Sequence, residues 1–136
     1  MSQRLSDVTI SKPFVYGNVT IVIPEEERLN VNTHRWIVYV RGPNNEDLST
    51  FIKEVHFQLH ESFDDPIRII RNSPYEVSEV GWGEFTIQIK IHFHAEAEEP
   101  PVSLLHPLKY VKHEASVLTG NSFQSQQFMF TEFKTP

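Results

Sequence analysis

The sequence has no cysteine among its 136 residues. Disulfides and thiolate metal sites are therefore excluded, and the usage fits a reducing compartment. Glycine is scarce: the five present are scattered singly, so no glycine-rich phosphate cradle is built. No apolar run approaches the roughly 18 residues of a membrane-spanning helix, and no membrane partner is expected. The opening Met1-Ser2-Gln3-Arg4 lacks the apolar stretch of a signal peptide. Asn18-Val19-Thr20 spells a glycosylation acceptor, but without a secretion signal it is discounted. Basic charge is short as well. A formal net charge of −6 argues against direct nucleic-acid binding, which depends on neutralising phosphates. It favours a basic partner instead, because complementary fields speed encounter. The plainer reading is that the charge keeps a domain soluble.

What is present reads as β-structure in one domain with enough length for a core. Residues 5–16 carry Val8, Ile10, Phe14, Val15 and Tyr16, interrupted by Pro13, which predicts an edge strand ended by a Gly17-Asn18 turn. Residues 24–33 read as an exposed loop. His34 to Arg41 is rich in β-branched and aromatic residues, with Trp36, Val38 and Val40 on one face and Ile37 and Tyr39 on the other, which predicts a central strand. Gly42-Pro43-Asn44-Asn45 is a turn, and Asp47 to Ile52 fits one helical turn. Residues 53–59 alternate, Val55, Phe57 and Leu59 inward against Glu54, His56 and Gln58 outward. Short strands follow at Ile67 to Arg71 and Tyr75 to Val80. Phe85, Ile87, Ile89, Ile91 and Phe93 then alternate with Thr86, Gln88, Lys90, His92 and His94, a half-buried strand. Ala95 to Pro101 is an acidic loop, and Val102 to Val111 a last strand kinked at Pro107. About seven or eight strands with regular turns and almost no helix predict an immunoglobulin-like β-sandwich over residues 5–112. Residues 113–136 are expected to be a C-terminal extension, a tail or the start of a further region.

Three kinds of chemistry are candidates. Ser62 lies two residues after His60, but no acidic residue can be assigned as a third member, so a nucleophilic pair is not expected. His92 and His94 project to one strand face, a spacing used for zinc; without a carboxylate or third histidine at diagnostic spacing they read as surface, and neither metal nor cofactor is expected. The third candidate is a pair of aromatic loops, Leu59-His60-Glu61-Ser62-Phe63 and Gly81-Trp82-Gly83-Glu84-Phe85. The plain reading is that Phe63, Trp82 and Phe85 cap the end of the core. The alternative is that Gly-Trp-Gly, at a loop tip, shapes a binding slot.

The ordered run Thr33-His34-Arg35-Trp36, Val40-Arg41-Gly42-Pro43, Leu59 to Phe63, Pro74-Tyr75-Glu76-Val77 and Gly81 to Phe85 resembles the YEATS domain family. Lys12-Pro13-Phe14-Val15-Tyr16-Gly17-Asn18 and Asn45-Glu46-Asp47 resemble its subgroup in chromatin-remodelling and histone-acetyltransferase complexes. The likeness runs from about Thr9 to Val111. It implies an immunoglobulin-like sandwich that reads acyl-lysine, acetyl or crotonyl, on a histone tail of the H3 type and catalyses nothing. It also implies a nuclear location and other subunits of a chromatin complex as partners. By the resemblance, Phe63 and Trp82 sandwich the acyl-amide, and Ser62 and the Trp82 backbone N–H hydrogen-bond it. His60 and Phe85 line the slot, and Gly81 and Gly83 shape its loop. Asn32 stands where family members often carry an aromatic residue or histidine; it and Glu61 are expected at the rim. The competing expectation is a scaffold subunit whose slot is weak or unused.

Overall fold

Side chains that alternate in polarity pack only if every second one meets a second apolar layer, and that requirement sets this architecture. The computed structural model describes residues 9–94, 100–110 and 121–134, with side chains over 13–94 and 100–110. Eight strands are found there: β1 (Thr9–Val22), β2 (His34–Arg41), β3 (Ile52–Gln58), β4 (Ile67–Ile70), β5 (Tyr75–Gly81), β6 (Thr86–Phe93), β7 (Val102–Pro107) and β8 (Asn121–Lys134). They form two four-stranded sheets, in the orders β5-β2-β1-β8 and β4-β3-β6-β7. All pairings are antiparallel. This is the expected immunoglobulin-like sandwich. Among the described residues, no helix is long and apolar enough to cross a membrane.

The core lies between the sheets. β1 and β2 send in Phe14, Trp36, Val38 and Val40; β3 and β6 answer with Val55, Phe57, Ile87, Ile89 and Ile91, all buried. Each such side chain contributes about 1.5–3 kcal/mol by leaving water. Truncating one large member such as Phe57 to alanine would cost about 3–5 kcal/mol, because the cavity adds to the lost transfer energy. The Gly42 turn closes with the Asn45 N–H donating to the Gly42 carbonyl at 2.9 Å, and Asn45 takes φ 61°, a left-handed conformation that asparagine tolerates. The carbonyl of Leu48 accepts N–H groups from Phe51 and Ile52, the expected single helical turn.

Three expectations are corrected. β1 is not an edge strand: it lies between β2 and β8. A register shift between Ile10 and Lys12 makes the ladder to β8 irregular just before Pro13, the kind of place where an interior strand tolerates a residue without an N–H. The chain also does not turn at Gly17-Asn18; these residues sit inside β1, opposite Tyr39 and Val38. Asn18 is a buried polar hub instead. Its Nδ2 donates to Thr20 Oγ1 at 2.8 Å and to the Lys109 carbonyl at 3.3 Å, and its Oδ1 accepts from His106 Nε2 at 2.7 Å. Finally, β7 ends at Pro107 and does not run on through a kink. Proline cannot continue the ladder, and the Leu108 N–H turns to the Phe85 carbonyl at 2.7 Å. Residues 121–134, within the stretch expected as a C-terminal extension, run as β8 along β1. The Ala95 to Pro101 loop falls largely on residues outside those described, as do residues 5–8 and Val111.

Candidate functional site

Two strand-to-strand connections meet at one end of the sandwich. β3 leads into the first, where the Phe63 N–H donates to the His60 carbonyl at 3.1 Å and closes a tight turn. Inside that turn His60 Nδ1 accepts the Ser62 backbone N–H at 3.1 Å and lies 2.8 Å from the Ser62 hydroxyl. A nitrogen that accepts an N–H carries no proton, so the Ser62 O–H is the donor in the second contact. The hydroxyl is thus held by its hydrogen while its lone pairs stay open. Arg68 of β4 fixes the far side of the loop. It donates to the carbonyls of Asp65 at 2.6 Å and Asp64 at 2.9 Å, and to Glu79 Oε2 of β5 at 2.8 Å. The loop is thereby tied to the strand that feeds the other loop.

The second connection, Gly81 to Phe85, is held from behind by the segment after β7. The Tyr110 hydroxyl donates to the Gly83 carbonyl at 2.8 Å, and the Tyr110 N–H donates to Glu84 Oε2 at 2.6 Å. Burial, then the Glu84 charge, pushes the Tyr110 hydroxyl up, so it remains a donor. Its ring stacks on His34 at 4.1 Å, and the Thr33 N–H donates to the Gly81 carbonyl at 3.0 Å. With the backbone anchored on both sides, Trp82 projects outward, 70% exposed. No ring pairs with it among the described residues. It does not cap the core.

Between the loops lies a hollow of about 530 Å³. The first loop contributes His60, Ser62 and Phe63 to its wall; the second contributes Gly81, Trp82, Gly83 and Phe85; Asn32 stands half-buried at its margin. Glu61 is exposed at the turn and does not line it. Phe63 and Phe85 are half-buried and form an aromatic floor, 5.6 Å apart and each set edgewise on Trp36, at 6.0 and 5.9 Å. The core-cap reading therefore holds for these two rings in part, while the indole of Trp82 is left free. A Cβ at Gly83 would meet nothing within 4 Å, so packing does not demand glycine there; its bare backbone leaves that side of the hollow open.

Sequence reasoning missed several contributors. Trp36 was read only as core, yet it supports both floor rings. Arg68, Glu79 and Tyr110 were not singled out, because their roles arise from contacts across 11 to 27 residues of chain. The only advance signal was chemical: Arg68 and Glu79 break apolar patterns on half-buried strands. The expected same-face pairing of His92 and His94 does not form one group. His94 lies just past β6 and its Nε2 donates to the Ser49 carbonyl at 3.0 Å. His60 and Ser62 are bonded, but no carboxylate holds the far imidazole nitrogen among the described residues.

A two-sheet scaffold that carries an exposed indole, a pre-oriented hydroxyl and an aromatic floor on its end loops belongs to the immunoglobulin-like class. Comparison with known proteins makes the class specific. The YEATS family pattern matches residues 31–112, more than half of the chain, and the chain belongs to the YEATS family. It is 48% identical over 118 residues to transcription initiation factor TFIID subunit 14b of Arabidopsis thaliana, covering 86% of this chain and 44% of that protein. It is 41% identical over 112 residues to the protein AF-9 homolog of Saccharomyces cerevisiae, covering 80% and 50%. The chain thus spans about half the length of these curated relatives. Among solved structures, the Yaf9 YEATS domain bound to H3K27ac aligns with a TM-score of 0.80 at 35% identity, over 96% of this chain and 92% of that one. The Yaf9 YEATS domain recognising an H3K122suc peptide aligns at 0.75 and 35% identity, over 97% and 90%.

Proposed function

We propose that this domain reads acylated lysine, acetyl or crotonyl, on a histone tail of the H3 type, as a subunit of a chromatin-remodelling or histone-acetyltransferase complex in the nucleus. The observation that carries the reading is the hollow itself, onto which a free Trp82 indole, the Phe63 ring and a hydroxyl with open lone pairs all front. Acylation removes the lysine charge and leaves a planar amide. That amide enters between Trp82 and Phe63. Its N–H donates to Ser62 Oγ, and its carbonyl accepts the Trp82 backbone N–H. His60 and Phe85 line the slot, and Gly81 and Gly83 shape its loop. Asp64, Glu79 and Glu84 also border the hollow against the single cation Arg68, a balance that suits basic residues flanking the acyl-lysine. Yaf9 domains similar to this chain are seen with acetylated and succinylated H3 peptides, which supports the reading. The reader unit spans residues 5–112 and takes in β8, whose pairing along β1 makes residues 121–134 part of the same sandwich.

The competing role is a scaffold subunit with an idle slot. One observation favours it: Asn32 offers no ring to close the slot, and its N–H is taken by Asn30 Oδ1 at 2.9 Å. Calorimetric titration with an H3 peptide carrying one acetyl-lysine, against the same peptide unmodified, separates the two. A reader binds the first at micromolar concentration and the second far more weakly. Equal affinity for both, or none for either, overturns the reader assignment.

A further inference from the structure

Outside this hollow, on the solvent face of the second sheet, one side-chain cluster has no part in peptide reading. We propose that Glu54, His56 and His92 form a binding site for one divalent transition-metal ion of borderline softness, Zn²⁺ or an ion with the same preferences. β3 turns Glu54 and His56 outward, and β6 turns His92 outward. In the antiparallel register Glu54 lies opposite His92, and His56 opposite Lys90. The pairing thus brings together three donor groups that are 36 to 38 residues apart in sequence across the two strands. One donor atom from each lies within 4.8 Å of the others. A tetrahedral zinc with bonds of about 2.0–2.1 Å needs donors roughly 3.3 Å apart, so small side-chain rotations close the site.

Three further observations point to a ligand. His92 Nε2 is buried and has no hydrogen-bond partner among the described residues, although buried polar atoms are normally satisfied. The two imidazoles lie 4.4 Å apart, tilted at 37°, an arrangement with little to recommend it as a stack but one that leaves nitrogens able to converge. His56 Nε2 meets Glu54 Oε2 directly, so the carboxylate already leans into the cluster. Against a dication stand Arg71, 3.5 Å from the other Glu54 oxygen, and Lys53 and Lys90 near His92. Two imidazoles and one carboxylate disfavour calcium or magnesium, which prefer all-oxygen sets. Three protein ligands on a half-exposed face leave a fourth position for water or for a side chain of a bound partner. A filled site would clamp β3 to β6 on the face opposite the core.

The test uses the untagged full chain. Zn²⁺ is titrated by calorimetry and by thermal unfolding, and Co²⁺ by its visible absorption. We expect one ion per chain, a higher melting temperature that rises with free Zn²⁺, and intense tetrahedral Co²⁺ bands. His56→Ala and His92→Ala are each expected to weaken Zn²⁺ binding by at least about tenfold, the smaller end of what disturbing a metal shell does. His94→Ala, on the same chain segment but bonded to Ser49, is expected to leave it unchanged. Should either alanine variant fail to fold, Glu54→Gln keeps the shape of the side chain and is expected to give the same weakening. Absence of Co²⁺ bands and of a melting shift overturns the proposal. So does unchanged affinity in the folded variants, or a loss caused by His94→Ala.

Discussion

Nδ1 of His60 accepts the Ser62 backbone N–H at 3.1 Å while lying 2.8 Å from the Ser62 hydroxyl oxygen. One nitrogen therefore both sets the turn and fixes the direction of the hydroxyl hydrogen. The oxygen is left as an acceptor only, which suits an amide N–H and not a carbonyl. Ser62→Ala would leave that N–H unpaired in the slot, a loss of about 1–2 kcal/mol. We expect roughly tenfold weaker binding of an acetylated peptide by calorimetry. The melting temperature should stay close to wild type, since the side chain is exposed.

Trp82→Ala is expected to abolish measurable acyl-peptide binding without unfolding the domain. With the indole 70% exposed, its removal opens no cavity. It does remove one face of the stack, on the order of 1 kcal/mol beyond the area lost, from a complex of modest affinity. Wild-type affinity in this variant would move the slot elsewhere. A collapse in melting temperature would restore the core-cap reading of this ring.

Arg68 borders the hollow and holds two carbonyls of the first loop and Glu79 of β5. The Arg68–Glu79 pair is three-quarters buried, at 24% exposure on each side. Arg68→Ala should cost about 1 kcal/mol of stability and weaken peptide binding several-fold, with faster amide hydrogen exchange over residues 61–65. Arg68→Lys should not rescue the loop, because a single ammonium cannot span the two carbonyls and the carboxylate that the guanidinium fork reaches. Exchange rates equal to wild type would show that the loop orders itself.

Acid should weaken the fold through His106. Burial lowers its pKa to about 4 from the ordinary imidazole value of 6.5, and its ring is fully enclosed between the sheets. Below 6.5 the unfolded chain takes up a proton that the folded chain refuses, so stability is intact above that pH and drains away down to about 4. The full loss is on the order of 3 kcal/mol at 1.36 kcal/mol per unit. Urea unfolding at pH 7, 6, 5 and 4 should show the decline, and His106→Gln should flatten it whatever its own starting stability. An equal slope in the variant would assign the decline to other groups.

How far the sequence foretold this molecule depends on the range of the interaction concerned. β2, β3 and β6 were legible because Trp36-Ile-Val-Tyr-Val40 and the Phe85 to Phe93 alternation state their own burial. Pro13 and Asn18 misled, because each normally speaks for a local break. Pro13 is carried by an irregular ladder, and Asn18 spends its amide on His106 and Lys109, partners 88 and 91 residues away. The two aromatic loops could be named as a slot, since glycine beside tryptophan is a local signal. The clamps that position them, Arg68 to Glu79 and Tyr110 to Gly83, are tertiary contacts with no local signature. The same holds for Glu54, His56 and His92, whose outward directions were readable but whose register was not.

Slot shape should decide which acyl group binds best. Phe63 is fixed edgewise on Trp36 and tilted on Phe85, so it cannot swing away to admit a thicker ligand. Trp82 has no ring neighbour among the described residues and is free to close down from the other side. The slot proposed between these two rings favours a group that stays flat. Crotonyl keeps its alkene conjugated with the amide and flat, whereas butyryl, with the same number of carbons, puckers and must lose rotamer freedom to fit. Burial of apolar area alone would rank the two nearly equal. The added π contact is worth roughly 0.5–1 kcal/mol, two- to fivefold in Kd. Crotonyl-lysine is therefore expected to bind at least as tightly as acetyl-lysine and better than butyryl-lysine. Titrating one H3 peptide carrying each group at a single lysine measures this. Equal affinity for butyryl and crotonyl would mean that the slot reads volume. A clear preference for acetyl would mean that its far end is closed, and that His60 and Phe85 form a wall and not a passage.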